Sequence, residues 1–227
     1  MIYAISDIHG CYEKYVEMLK KIDLGDNDRL YVLGDVIDRG AGGIKILREM
    51  KNDDRIIPII GNHESMALGL MRSLLTMSIE ELKEKRPKAF FAWMINGGKP
   101  TLLDFAALCD KEKSEIINYV DSFMIYANVG AGGREYHLSH TLPAYDPNID
   151  IHDVSYLEFI WGEPDYEIKY DENTLFVTGH TPTAFIDPEY EGRIWQKNNH
   201  IAIDCGAVFD NGRLGCICLD TLEENYV

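Results

Sequence analysis

The chain has 227 residues, 46% hydrophobic and 26% charged. That globular composition excludes a disordered chain and allows a core without disulfides or structural metal. Lys and Arg number 22 against 38 Asp and Glu, a net charge of −16, which argues against duplex nucleic acid or anionic membrane surfaces as partners. Otherwise the charge describes a solvated surface. The five cysteines, Cys11, Cys109, Cys205, Cys216 and Cys218, are odd in number and hold no Cys-x-x-Cys pair. Neither a disulfide framework nor a zinc ribbon is expected. Met1 leads straight into an apolar strand, with no basic leader and no apolar run near ~18 residues. No signal peptide or membrane span is expected, and a reducing cytoplasm fits.

Residues 2–6 read as a strand stopping at Asp7, and residues 11–22 repeat apolar groups at helical spacing through Tyr15, Met18, Leu19 and Ile22. Gly25-Asp26-Asn27-Asp28 is a turn signal. A second strand over 29–33 ends at Gly34-Asp35, residues 43–51 look helical, and a third strand over 55–60 ends at Gly61-Asn62-His63. This β-α-β-α-β succession predicts parallel strands. Residues 64–121 read as mostly helical, with a break at Asn96-Gly97-Gly98. The expectation is a helical layer or cap, 65–121, inserted in a single domain spanning 1–227. Strands return over 123–129, 134–139, 174–178, 193–196, 200–204 and 213–219, and Asp146 to Tyr170 is irregular.

Open α/β sheets bind ligands at the carboxyl ends of their parallel strands. Three successive ends carry Asp7-Ile8-His9, Gly34-Asp35-Val36-Ile37-Asp38-Arg39-Gly40 and Gly61-Asn62-His63-Glu64, and two later ones carry His140 and Gly179-His180. Asp7 and His9 are two apart, so in extended chain their side chains point the same way. One such tip alone reads as a helix cap or a surface residue. Caps do not require His, Asn and Gly-Asp or Gly-Asn pairs at three consecutive tips. Converging carboxylates and imidazoles repel, shift their pKa values or share cations, and oxygen and nitrogen ligands without thiolate suit manganese, iron, zinc or a related ion. His137, His152 and His200 lack this setting and are expected to be structural or surface residues.

The ordered set Asp-x-His, Gly-Asp-x-x-Asp-Arg-Gly, Gly-Asn-His-Glu and Gly-His-Thr resembles the calcineurin-like metallophosphoesterases. Asp38-Arg39-Gly40 and His63-Glu64 narrow the resemblance to the phosphoprotein phosphatase branch, which holds Ser/Thr protein phosphatases and bacterial symmetrical diadenosine tetraphosphatases. The ending from Asp204 to Leu214 is similar to the closing strands of that branch. The resemblance implies a four-layer α/β/β/α sandwich with mixed sheets and a helical insertion. It implies two divalent metal ions, manganese first, with iron, zinc or nickel as alternatives. Asp7 and His9 would bind the first ion, Asp35 would bridge both, and Asn62, His140 and His180 would complete the second site. A bridging hydroxide would attack phosphorus with no phospho-enzyme intermediate. His63, next to Asn62, would be the general acid, Asp38 would orient it, and Arg39 would grip the phosphate, with Asn62 as the other substrate-binding residue.

Two departures stand out. Thr141-Leu142-Pro143 follows His140 where relatives often have Gly or Ala. Trp161-Gly162-Glu163-Pro164 carries an acid where relatives often carry a second phosphate-binding Arg, leaving Arg72 or Arg134 as candidates for that role. No Cys-x5-Arg, Walker-type or Gly-x-Ser-x-Gly motif offers another phosphate or acyl chemistry. The leading expectation is a phosphatase acting on phosphoserine or phosphothreonine in proteins. The alternative is a dinucleoside polyphosphate hydrolase, with phosphorylated small molecules or nucleotides as partners. A catalytically silent metal-binding regulatory module ranks lower, because His63, Asp38 and the ligand set are all present.

Overall fold

A computed structural model describes residues 1–227 except the side chain of His152, so the expectation for His152 lies outside the described residues. The first half runs β1 (Ile2–Ile5), α1 (Tyr12–Ile22), β2 (Arg29–Leu33), α2 (Gly43–Lys51), β3 (Ile56–Ile59) and α3 (Asn62–Ser73). Then come α4 (Ile79–Lys85), α5 (Pro87–Ile95), α6 (Lys99–Ala106) and α7 (Asp110–Asp121). The second half holds β4 (Tyr126–Ala131), β5 (Arg134–Ser139), α8 (Glu158–Trp161), β6 (Thr174–Thr178) and α9 (Thr183–Ile186). It closes with β7 (Trp195–Lys197), β8 (His200–Ala202), β9 (Gly215–Cys218) and β10 (Glu224–Tyr226).

The strands form two mixed sheets, ordered β10-β9-β1-β2-β3 and β4-β5-β6-β8-β7. As expected, β1, β2 and β3 are parallel neighbours. In the second sheet β5, β6 and β8 are parallel in the same way. Alternation along the strands sorts the core. Tyr3, Ile5, Leu30 and Val32 face the helices, where they meet Tyr15, Met18, Leu47, Leu70 and Val120. Ala4, Leu33 and Ile59 face the second sheet and pack on Leu138, Val177 and Ile201.

The helical stretch expected as a layer or cap is a layer. Ala67, Leu102, Phe105 and Ile116 share one buried cluster with β1 and β2. Local chemistry punctuates it. Ser78 Oγ accepts the Glu81 N–H at 3.2 Å while the Glu81 carboxylate accepts the Ser78 N–H at 3.0 Å, which starts α4. The break at 96–98 separates α5 from α6. The outer face of the second sheet is covered by the irregular segment and α8, where Phe159 packs on His137 at 5.6 Å between ring centroids. The edge strand β10 was not anticipated. It is held by pairing with β9 rather than by an apolar pattern of its own. No helix is long and apolar enough to cross a membrane among the described residues.

Candidate metal centre

The parallel strands of both sheets deliver their carboxyl ends to one edge. Asp7 and His9 follow β1, Asp35 follows β2, Asn62 and His63 open α3 after β3, His140 follows β5 and His180 follows β6. Asp7, His9, Asp35, Asn62, His63 and His140 are buried. Asp35 is at the middle. One of its oxygens lies 3.6 Å from His9 Nε2 and 3.8 Å from His63 Nε2, and the other lies 3.5 Å from His140 Nε2. Asp7 reaches to 3.9 Å from His9 Nε2. Asn62 Oδ1 stands 2.9 Å from His140 Nε2 and 3.2 Å from His180 Nδ1. Every ligand-type residue named from the sequence is therefore in this one cluster.

The way Asp7 and His9 converge differs from the expectation. They are not alternating residues of an extended strand, because φ is 50° at Asp7 and 45° at His9. Of the ten non-glycine residues with positive φ among the described residues, six are Asp7, His9, Asp35, Asp38, Arg39 and His180. Left-handed backbone at such residues costs about 1–3 kcal/mol each and persists only where the surroundings impose it. At Asp35 the support comes from Glu64. Its carboxylate accepts the N–H groups of Gly61, Asp35, Val36 and Ile37 at 3.1, 2.9, 2.9 and 3.2 Å, pinning the Asp35 turn to the start of α3.

The donor set fits cations. His9 Nδ1 is 3.0 Å from the Ile37 carbonyl and His140 Nδ1 is 2.7 Å from the Leu33 carbonyl, so each Nδ1 carries the donated proton. Their Nε2 lone pairs then face carboxylate oxygens, an arrangement that attracts only if positive charge lies between. The Asn62 amide has two settings. With Nδ2 turned inward it donates to the Asp35 carboxylate at 3.2 and 3.3 Å. With Oδ1 turned inward it joins two imidazole nitrogens as a third acceptor, a setting that suits a cation. Electrostatics agree. Burial pushes the Asp7 carboxyl up to about 6 and raises Asp35 and Asp204. Burial also pushes His9 well down and His180 down to about 3. Both trends resist charge at this edge, and a divalent ion reverses them for the carboxylates while using the neutral imidazoles. Ligand atoms of His9, Asp35 and His63 lie within 4.8 Å of one another, as do those of Asp35, His140 and His180. Two ion positions sharing Asp35 fit this pattern.

A second apparatus adjoins it. His63 Nδ1 is 2.8 Å from Asp38 Oδ2, and both side chains are buried. Burial alone would push the His63 pKa down, but the charges of Asp35 and Asp38 outweigh it and the shift is upward. Asp38 is fixed in turn by the Trp93 indole N–H, which donates to its two oxygens at 3.1 and 2.9 Å. The Asp38 N–H donates to Thr101 Oγ1 at 2.9 Å. Arg39 is exposed, with Nη2 3.4 Å from His63 Nε2. Its backbone N–H donates to the Gly97 carbonyl at 2.9 Å. Gly97 has φ 93°, and a Cβ there would meet Arg39 Cγ at 2.8 Å. The predicted break in the helical layer is thus where that layer holds the phosphate-binding candidate.

Glu64, Trp93 and Thr101 were not assigned roles from the sequence. Glu64 had a signal, an acid three residues after the Gly61 that precedes a helix. Trp93 and Thr101 had none, since their helices could have packed in many ways. Neither candidate for a second phosphate clamp reaches the site. Arg72 ends α3, about 15 Å along the helix from Asn62, and pairs with Asp121. Arg134 starts β5, about 20 Å along the strand from His140. The cleft beside the centre, of about 480 Å³, is lined by Arg39, Glu163, Tyr166, His180 and Thr181 among others. Among the described residues, the other two histidines are structural, not surface. His137 and His200 are buried in strands, among aromatic rings.

A family model for calcineurin-like phosphoesterases matches residues 1–209. The chain belongs to that family. Among solved structures, this phosphoesterase resembles a candidate diadenosine tetraphosphatase, at TM-score 0.69 and 16% identity over 100% of this chain and 92% of the other. It also resembles a protein serine/threonine phosphatase from Saccharomyces cerevisiae, at TM-score 0.61 and 13% identity over 95% and 71%. These likenesses concern the fold. Curated relatives include the symmetrical bis(5'-nucleosyl)-tetraphosphatase of Wigglesworthia glossinidia brevipalpis, 39% identical over 37% of this chain and 29% of that protein. The enzyme of the same name from Buchnera aphidicola subsp. Schizaphis graminum is 43% identical over 28% of this chain and 24% of its own length. The match to such relatives thus spans less than a third of their length.

Proposed function

We propose that this phosphoesterase is a single-domain cytoplasmic hydrolase holding two divalent ions, manganese first, and that its substrate is a dinucleoside polyphosphate. The observation that carries the hydrolase reading is the ring of acceptors around Asp35, where the Nε2 atoms of His9 and His140, the Asn62 amide and the Asp7 and Asp35 carboxylates face one another. Asp7, His9 and Asp35 would hold one ion; Asp35, Asn62, His140 and His180 would hold the other. Bound there, the ions supply positive charge for phosphoryl oxygens and acidify water. Arg39 binds a phosphate oxygen from the solvent side of His63. Asp38, braced by Trp93 and Thr101, keeps the His63 ring oriented, and His63 gives its proton to the leaving oxygen.

The nucleotide reading draws on the names of the curated relatives. It reverses the order expected from sequence, where phosphoserine came first. One observation still favours phosphomonoesters: a raised, braced His63 matters most for a strongly basic alkoxide leaving group. Turnover of diadenosine tetraphosphate and of a phosphoserine peptide by Mn²⁺-loaded protein separates the two. His63→Asn is expected to lower kcat about 10²- to 10⁴-fold on the peptide with metal content unchanged. Loss of an ion in that variant would make His63 a ligand and not the acid.

A further inference from the structure

Phe185 and Phe209 are 78% and 48% exposed. Both line the metal-side cleft together with Arg39 and His180. Both also line a second, mostly apolar pocket of about 190 Å³, whose walls include Ala184, Glu191, Cys205 and Gly206. The two cavities therefore meet at this pair of rings and at Pro182.

The backbone that carries the rings is tied down. Phe185 belongs to α9, which begins three residues after His180. Its turn is tied down where the Thr183 N–H donates to the Asp204 carbonyl and Thr183 Oγ1 donates to the Tyr190 carbonyl, each at 2.9 Å. Phe209 sits in a turn closed by its own N–H to the Gly206 carbonyl at 2.9 Å. Gly206 has φ 71°, and a Cβ there would press on the Phe209 ring at 2.9 Å. Both rings thus project from tied turns on the loops that carry His180 and Asp204.

We propose that Phe185 and Phe209 form a nucleobase-stacking subsite, and that the apolar pocket they border takes one base of a nucleotide whose phosphates lie at Arg39 and the metal edge. The proposal rests on the nucleotide-phosphate reading above and names the residues that read the nucleoside. A flat base stacks on fixed aromatic faces whatever its sequence. Bases also carry N–H donors, which the Glu191 carboxylate accepts; an aliphatic or phenyl side chain of a phosphopeptide offers no such donor.

The test uses Mn²⁺-loaded protein carrying Phe185→Ala, Phe209→Ala, Phe185→Tyr or Phe209→Tyr. Three substrates are compared: diadenosine tetraphosphate, inorganic tetraphosphate, which is the same four-phosphate chain without nucleosides, and a phosphoserine peptide. Binding of adenosine monophosphate and of inorganic phosphate is measured by calorimetry alongside. Each Ala variant is expected to raise the dinucleotide KM about 5- to 100-fold and to weaken adenosine monophosphate by a similar factor. Tetraphosphate KM and phosphate binding change far less, and Phe185→Tyr and Phe209→Tyr recover most of the loss. Equal losses with and without a base overturn the proposal. So does a KM effect confined to a phosphoserine peptide, which would give the pocket to a peptide side chain. If wild-type protein cleaves neither anhydride, the proposed activity fails, while the nucleotide-against-phosphate binding contrast still decides the subsite.

Discussion

His137 and His140 lie three residues apart on one segment and are equally hidden from solvent, yet their surroundings differ in kind. His137, inside β5, meets the Asn128 amide oxygen at 2.9 Å and the rings of Tyr126 and Phe159. His140, just past the strand end, meets a backbone carbonyl on one nitrogen and Asp35 and Asn62 on the other. The same contrast separates His200, inside β8, from His180, just past β6. Burial alone therefore says nothing about chemistry. Within a strand a histidine is surrounded by the neighbouring side chains of its own sheet face, which are aromatic here. Beyond the strand it meets whatever the other parallel strands deliver to the same edge, which is carboxylate.

The largest effect should come from breaking the charged side of this comparison. Asp35→Asn removes the carboxylate shared by both ion positions. Metal per chain, read by elemental analysis, is expected to fall, and kcat to drop about 10³-fold. His200→Gln should keep both. A variant at Asp35 that retains full metal content would sink the bridging assignment. The same pair of proteins serves a second measurement. Mn²⁺ at 100 times its dissociation constant should stabilise the wild type by about 2.7 kcal/mol for each ion bound, seen as a higher melting temperature that chelator removes. His200→Gln should show an equal increment and Asp35→Asn little or none.

A smaller loss is expected one layer out. Trp93→Phe keeps the packing of α5 but deletes the indole donor to Asp38. With the His63 ring less firmly oriented, kcat should fall about tenfold, part of the full general-acid contribution, while metal content stays the same. Unchanged kcat would show that Asp38 orients His63 without the Trp93 donor.

Trp93 also marks where reading from sequence stops. The strand ends were legible because apolar runs of four or five residues break abruptly at Asp7, Gly34-Asp35 and Gly61-Asn62, and parallel order follows from the βαβ connections. His140 and His180 were legible for the same reason. The left-handed backbone at Asp7 and His9 was not, since nothing in Asp-Ile-His distinguishes a turn from a strand, and it is Glu64, dozens of residues away, that imposes the neighbouring turn. The Trp93 donor depends on how α5 rotates in the helical layer, a matter of packing across elements. Arg72 and Arg134 looked eligible as phosphate clamps only because sequence gives no distance along a helix or strand to the site until the element's direction is known.

The smallest effect, and the sharpest contrast in sign, concerns His200 and pH. Burial lowers its pKa, against a weaker upward pull from the Ile168 carbonyl, 2.9 Å from Nε2, and from the charge of Asp165. The rings of Tyr166, Tyr170 and Phe176 surround it and add no charge. The folded protein therefore binds this proton less readily than the unfolded chain, whose histidines titrate near ~6.5. Below that pH the unfolded state carries the extra proton, so stability falls as pH falls. Asp7 and Asp35 act oppositely in metal-free protein. Their raised pKa values make the folded state hold protons that the unfolded chain releases, and their contribution falls as pH rises. The two contributions are separated by difference. Urea unfolding of wild type and His200→Gln, each with Mn²⁺ bound, is expected to give a shallower loss of stability between pH 6.5 and 5 in the variant. Parallel pH profiles would mean that His200 stays uncharged in both states or charged in both, and that the aromatic cage around it exerts no net cost on its proton.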